Sequence, residues 1–192
     1  MNNMVEIVGE ILCEARFNNE VNGHRFYQVE IRSRRESGVD DVLPCIMDDS
    51  LVSECIVGET VYIQGSFRSF NDKSNRRVQL YIYAEQIELV DVSHMNAIHL
   101  CGIICKESAL RQTPRGKKIC DLIVAIHRTC GQSDYIPCVL WGHNAERGAR
   151  LVVGQQVTLD GRIQSRQYQK QLADRMETRV AYEVSVTHFS VD

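Results

Sequence analysis

Two arginines, a glutamine and a tyrosine alternate along the stretch GRIQSRQYQK, residues 161–170. It follows VVGQQVTLD and reads as the end of a strand running into a loop. Side chains alternate across a strand, so Arg162, Gln164, Arg166 and Tyr168 share one face and Leu159, Ile163 and Ser165 the other. The second face is apolar enough to help close a core. The first interleaves cations with a flat ring, a set suited to a partner whose phosphates alternate with bases. For this strand taken alone, a solvated face with one stray tyrosine serves as well.

Other residues tilt that balance. The run DYIPCVLW puts Ile136, Cys138 and Leu140 on one strand face and Tyr135, Pro137, Val139 and Trp141 on the other. Upstream, LRQTPRGKK supplies Arg111, Arg115, Lys117 and Lys118, and Arg128 ends the strand AIHR. Lys170 closes the alternating stretch. Base stacking on such rings is worth roughly 1–3 kcal/mol per base and tolerates any base. For Trp141 the competing role is that of a cap over the core, which a lone tryptophan often fills.

Composition bounds the alternatives. With 44% hydrophobic and 24% charged residues the chain is ordinary globular protein. No apolar run reaches the ~18 residues of a membrane helix, and MNNMVEIVGE lacks the order of a secretory signal. The eight cysteines form no CxxC pair; Cys13, Cys45, Cys101, Cys120 and Cys138 sit in apolar runs and read as small core residues of a reducing, cytoplasmic compartment. No metal or cofactor site is expected. The six histidines are scattered, and Asp134 and Glu183 each read as a strand-edge charge and a structural hydrogen-bond partner, so no catalytic constellation is expected. The net charge of −3 conceals an asymmetry. Residues 1–93 hold 9 basic and 16 acidic residues, a net of −7, whereas residues 94–192 hold 13 and 9, a net of +4. An anionic ligand belongs on the second half.

The chain is one unit written twice. An offset of 93 carries Gly9 onto Gly102, Gly23 onto Gly116, Pro44 onto Pro137 and Cys45 onto Cys138. After a three-residue insertion, an offset of 96 carries Gly58 onto Gly154 and Gly65 onto Gly161. Two domains are therefore expected, 1–93 and 94–192, joined near residues 91–96. Each has a Gly-bearing first strand (5–12; 98–104), then a polar turn at Asn22-Gly23 or Arg115-Gly116. A second strand follows (26–31; 119–127), then a third ending in PCIM or PCVLW. A short helix is capped by Asp49-Ser50 or Asn144, and two last strands flank a polar loop (fifth strand 78–87; 179–186). Three strands, a helix and two strands is the order of the five-stranded Greek-key OB-fold. The expected class is all-β, with two tandem OB-fold barrels. Such a barrel binds oligonucleotides over strands two and three and loops one–two and four–five, where Tyr135, Trp141, Tyr168 and the basic loop residues fall.

The second unit resembles the bacterial single-stranded DNA-binding protein family. The resemblance rests on TPRGKK, AIHR, DYIPCVLWG, NAERG, VGQQVTLDGRIQSRQYQK and RVAYEVSV, and covers nearly all of residues 98–187. It implies that Tyr135, Trp141 and Tyr168 stack on bases and that Arg162 and Arg166 are the basic residues of the strand-four motif. It also implies a non-enzymatic role in DNA replication, recombination or repair and a nucleoid-associated, non-membrane protein. As two-barrel relatives form dimers, it implies a homodimer holding four barrels. Three departures stand out. Strand five reads Tyr182-Glu183-Val184. In the first unit Val42, Asp48 and Asp72 occupy the ring positions, though Arg68, Phe70, Arg76 and Arg77 remain; that acidic unit is expected to serve packing or assembly. The chain ends at HFSVD, without the acidic tip that recruits replication proteins in the family. The alternative is a primosome-type accessory or protein-interaction module that binds single strands weakly. RNA is open as a ligand, since no device aimed at a 2′-OH is visible.

Overall fold

The computed structural model describes residues 2–72, 77–171 and 175–191. Their β-branched runs give strands β1 (Asn3–Ile11), β2 (Arg16–Val21), β3 (His24–Arg34), β4 (Asp40–Asp48), β5 (Thr60–Asp72) and β6 (Arg77–Leu89). Then come β7 (Met95–Ile104), β8 (Ala109–Gln112), β9 (Lys118–His127), β10 (Ser133–Trp141), β11 (Gln156–Gln171) and β12 (Met176–Val191). A 3-10 turn (Asp49–Glu54) lies between β4 and β5, and a short helix α1 (His143–Gly148) between β10 and β11.

The strands hydrogen-bond in the order β2-β3-β4-β6-β5-β1-β7-β11-β12-β10-β9-β8, a sequence that reads the same from either end once six is added to each label of the first half. Extra pairings β1–β3 and β7–β9 bring each half round on itself, and β4–β6 and β10–β12 run parallel while the rest are antiparallel. Within each half the alternate faces carry the core: Ile7, Ile31, Leu43, Ile63, Phe67 and Ile82 in one, Leu100, Leu122, Ile136, Leu159, Ile163 and Val184 in the other. The bend that closes each half falls at a register shift, Gln64/Gly65 and Asp160/Gly161. There a Cβ on Gly161 would come within 2.3 Å of the Ser185 carbonyl oxygen, so only glycine lets the backbones pass.

Several local expectations are corrected. The one–two connections are not open loops: β2 pairs with β3 and β8 with β9, as hairpins. Tyr168 does not begin a loop, because β11 and β12 stay paired out to Gln171 and Met176. The 3-10 turn is capped by Asp48, whose carboxylate accepts from the Ser50 N–H. The helix starts after Gly142 without a side-chain cap, and Asn144 instead donates to the Thr187 carbonyl. Of the cysteines placed in the core, Cys45, Cys120 and Cys138 are buried whereas Cys13 and Cys101 are only partly so.

The halves meet through two kinds of contact. β1 pairs with β7 antiparallel, and Val5 stands opposite Ile98, its own counterpart at the repeat offset of 93. Beside this ladder lie two matching clasps. Asp41, fully buried, receives Arg35 Nε and Nη2 at 2.6 Å each, and its Oδ1 also accepts from the Ser165 N–H of the other half at 2.6 Å. Asp134, equally buried, receives Arg128 Nε at 2.7 Å and Nη2, and accepts from the Ser69 N–H at 2.6 Å. Each arginine reaches on to the same serine's carbonyl, Arg35 to Ser165 at 3.2 Å and Arg128 to Ser69 at 3.3 Å. Asp134 is thus a buried link between halves, not the strand-edge charge its position suggested.

Removing one partner of a buried ion pair strands the other charge, at a cost of about 3–5 kcal/mol. The arginines keep some solvent contact, so Asp41→Ala and Asp134→Ala are each expected to lose about 3 kcal/mol in urea denaturation. Losses below about 1 kcal/mol in both would show that the clasps do not hold the halves together.

Candidate nucleic-acid interface

The face singled out in β11 continues across the sheet. Register places Arg162 opposite Ser185, Gln164 opposite Glu183, Arg166 opposite Ala181 and Tyr168 opposite Arg179. On the far side of β12, Val139 is level with Ser185, so Tyr135, Pro137, Val139 and Trp141 share that face. β9 and β8 extend it through Asp121 and Arg111.

Three rings stand on this face and remain accessible, Tyr135 at 45%, Trp141 at 38% and Tyr168 at 37%. Trp141 lies directly opposite buried Ile119, and its indole N–H donates to Ser185 Oγ at 3.0 Å. One edge of the indole is tied down while part of the ring stays open to solvent. Tyr135 is fixed from the other half, its backbone N–H donating to Ser69 Oγ at 2.8 Å. Tyr135 and Tyr168 share a trough of about 550 Å³ with Pro137, Tyr182 and, from the first half, Pro44 and Tyr81. Tyr182, which sequence reasoning noted only as a departure, is half-buried there, and burial raises its phenol pKa.

The predicted cations divide into two groups. Arg166 lies 5.8 Å from the Tyr168 ring and 3.7 Å from Glu183, with about half its side chain exposed. Lys170 is exposed further along β11, and Arg115 and Lys117 at the tip of the β8–β9 hairpin. That tip is set by Thr113, which takes the Lys117 N–H on Oγ1 at 3.0 Å and accepts from Gly116 N–H at 2.8 Å on its carbonyl. The remainder are engaged by protein. Arg111 forks onto Asp121, and Lys118 bonds Glu146 on α1, drawing that carboxyl below its usual range. Such exposed pairs contribute little and exchange readily for phosphate. Arg128 and Gln164 are corrections. Arg128 is held in the clasp with Asp134 and Ser69, and Gln164 is buried, donating to Glu183 at 2.8 Å. Both are framework beneath the face, not contacts on it. Of the first-unit cations, Arg76 and the side chain of Arg77 lie outside the described residues.

Arg162 is the unusual member. Its Nη2 reaches Gln164 Oε1 at 3.3 Å, but its buried Nε has no acceptor. Burial and the neighbouring Arg35 guanidinium lower its pKa. It borders a crevice of about 580 Å³ with Arg34, Glu36 and His94. A partly buried cation beside like charge and short of an acceptor fits an anion better than it fits the free protein. No group of His, Cys, Asp and Glu able to hold a metal occurs among the described residues. No helix there is long and apolar enough to cross a membrane.

A model of the single-strand binding protein family matches residues 95–192, just over half of the sequence. The chain belongs to that family. Among curated relatives, single-stranded DNA-binding protein 2 of Listeria innocua is 37% identical over 82 residues, 39% of this chain and 52% of that protein. Single-stranded DNA-binding protein A of Bacillus subtilis is 34% identical over 89 residues, 43% of this chain and 52% of that protein. The chain spans about half the length of the curated relatives it matches. The fold is shared across both halves with the single-stranded DNA binding protein of Thermus aquaticus, at a TM-score of 0.75 over 99% of this chain and 92% of that one, with 17% identity.

Because Arg162 lacks an acceptor, Arg162→Met should leave the free protein as stable or raise its stability by up to about 1 kcal/mol. Urea denaturation checks this, and a loss of about 2 kcal/mol would mean that the guanidinium is already satisfied.

Proposed function

We propose that this chain binds single-stranded DNA without regard to sequence, on the exposed sheet face of its second half. The observation that carries the proposal is the set of three accessible rings, Tyr135, Trp141 and Tyr168, on one face with Arg162 and Arg166 between them. Any base offers a π-face to such rings, and the alternating cations answer a phosphate backbone. Family membership of residues 95–192 and the names of the relatives support the same ligand. The matching strand orders of residues 1–93 and 94–192 support two tandem OB-fold domains, each with a short helical turn before its fourth barrel strand. By analogy with two-barrel relatives, the assembly is a homodimer with four barrels, serving DNA replication, recombination or repair without enzymatic activity of its own.

The lone tryptophan makes the test direct. Titration with oligo(dT) is expected to quench Trp141 stoichiometrically, with log K falling against log[salt] by roughly 0.7 per phosphate neutralised. Tyr135→Ala and Tyr168→Ala should each weaken binding roughly 5- to 100-fold, the value of one stacked base. Absent quenching, together with capture of a replication protein, would favour the protein-interaction alternative.

A further inference from the structure

The first half lacks rings at the three positions used by the second, where Val42, Asp48 and Asp72 stand. Its corresponding surface is nonetheless aromatic. Phe26 of β3, Phe70 of β5, and Tyr81 and Tyr83 of β6 line a groove of about 420 Å³ together with Arg68 and Gln79. These residues occupy the same sheet face as the second half's platform. Arg68 and Phe70 are counterparts of Gln164 and Arg166 at the offset of 96. Tyr81 and Tyr83 take the places of Glu183 and Ser185, since Phe67 pairs with Ile82 as Ile163 pairs with Val184. The chemistry has been redistributed. The second half buries polar groups in the middle of the face and puts rings at its margins, whereas the first half puts rings in the middle.

The geometry is that of a stacking site. The Arg68 guanidinium lies 3.7 Å from the centroid of Tyr83, and the Phe26 and Tyr83 rings are 6.2 Å apart at a 50° tilt. Phe70 projects beside them at 57% exposure. Although the first half carries a net −7, no carboxylate among the described residues lines the groove. Glu85 approaches Arg68 only at 3.9 Å from the rim, Asp41 is buried in its clasp, and Glu10 is paired with Arg32. Tyr81, Gln79 and Ile46 line both this groove and the trough that holds Tyr135 and Tyr168. The two grooves therefore share a wall across the seam between halves.

We propose that the first half carries a base-stacking subsite of its own, formed by Phe26, Phe70, Tyr81 and Tyr83 under Arg68, and that a single strand seated on the second half continues into it within the same chain. This rests on the DNA-binding reading above. With Arg68 the one cation lining it among the described residues, the subsite adds stacking with little counterion release. The gain in affinity on lengthening a strand should thus be less salt-dependent than the binding of a short one.

The test compares oligo(dT) of about 8 nucleotides, enough for one barrel, with one of about 20 on the full chain and its variants. Phe70→Ala and Tyr83→Ala, at residues that line the first-half groove and not the trough of Tyr135 and Tyr168, should leave the short oligonucleotide's affinity within twofold of the parent and weaken the long one roughly 5- to 100-fold. Phe70→Trp should keep the long-oligonucleotide affinity and add a second indole quenched by the long strand alone. Should the parent bind both lengths while Phe70→Ala and Tyr83→Ala bind both as the parent does, the subsite is wrong and the second-half platform stands. Should the parent fail to bind either length, both fall together.

Discussion

Two buried carboxylates, one from each half, govern how this molecule is put together. Asp41 and Asp134 each neutralise an arginine of their own half and accept a backbone N–H from the other. A surface pair would count for little, but a buried carboxylate holding a guanidinium and a peptide N–H has few alternative geometries. The two clasps and the β1–β7 ladder fix one half against the other about a shared pseudo-twofold. The trough containing Tyr135 and Tyr168 takes walls from both halves, so its shape depends on those contacts. Ser69 makes the link explicit: its N–H is held by Asp134 while its hydroxyl accepts the N–H of Tyr135.

The exposed face is assembled at some expense to the free protein. Accessible rings and a guanidinium whose Nε lacks an acceptor are poor choices for stability alone. Beneath them lies an ordered polar layer, in which Gln164 bridges Arg162 and Glu183 and Ser185 orients Trp141. That layer holds the rings at fixed positions, and a preorganised surface loses little side-chain freedom to whatever it binds.

Much of this was legible in the sequence. The offsets 93 and 96 gave the repeat, and alternation put Ile163 inward and Tyr135, Trp141 and Tyr168 outward, as the structure has them. Alternation failed at Gln164, which has the parity of the exposed face but is covered by it. Arg128 looked like one more cation of a basic half; its partner Asp134 lies only six residues away, but that the pair is buried depends on Ser69, 59 residues from Arg128. Matching the halves position by position concealed the first half's rings, because Phe70, Tyr81 and Tyr83 align with an arginine, a glutamate and a serine. Net charge misled for a related reason: it does not say where the charges go, and Asp41 is taken up in a clasp, Asp48 in a cap and Glu10 in a pair with Arg32.

The most direct measurement is photo-crosslinking of a 4-thiothymidine-substituted oligo(dT) to the full chain, with the modified peptides mapped by mass spectrometry. Adducts on Tyr135, Trp141 and Tyr168 are predicted for a short strand, with Phe70 or Tyr83 added for a long one. Adducts confined to other surfaces, such as the outer faces of β2 or α1, would contradict the placement of the single strand on this sheet face.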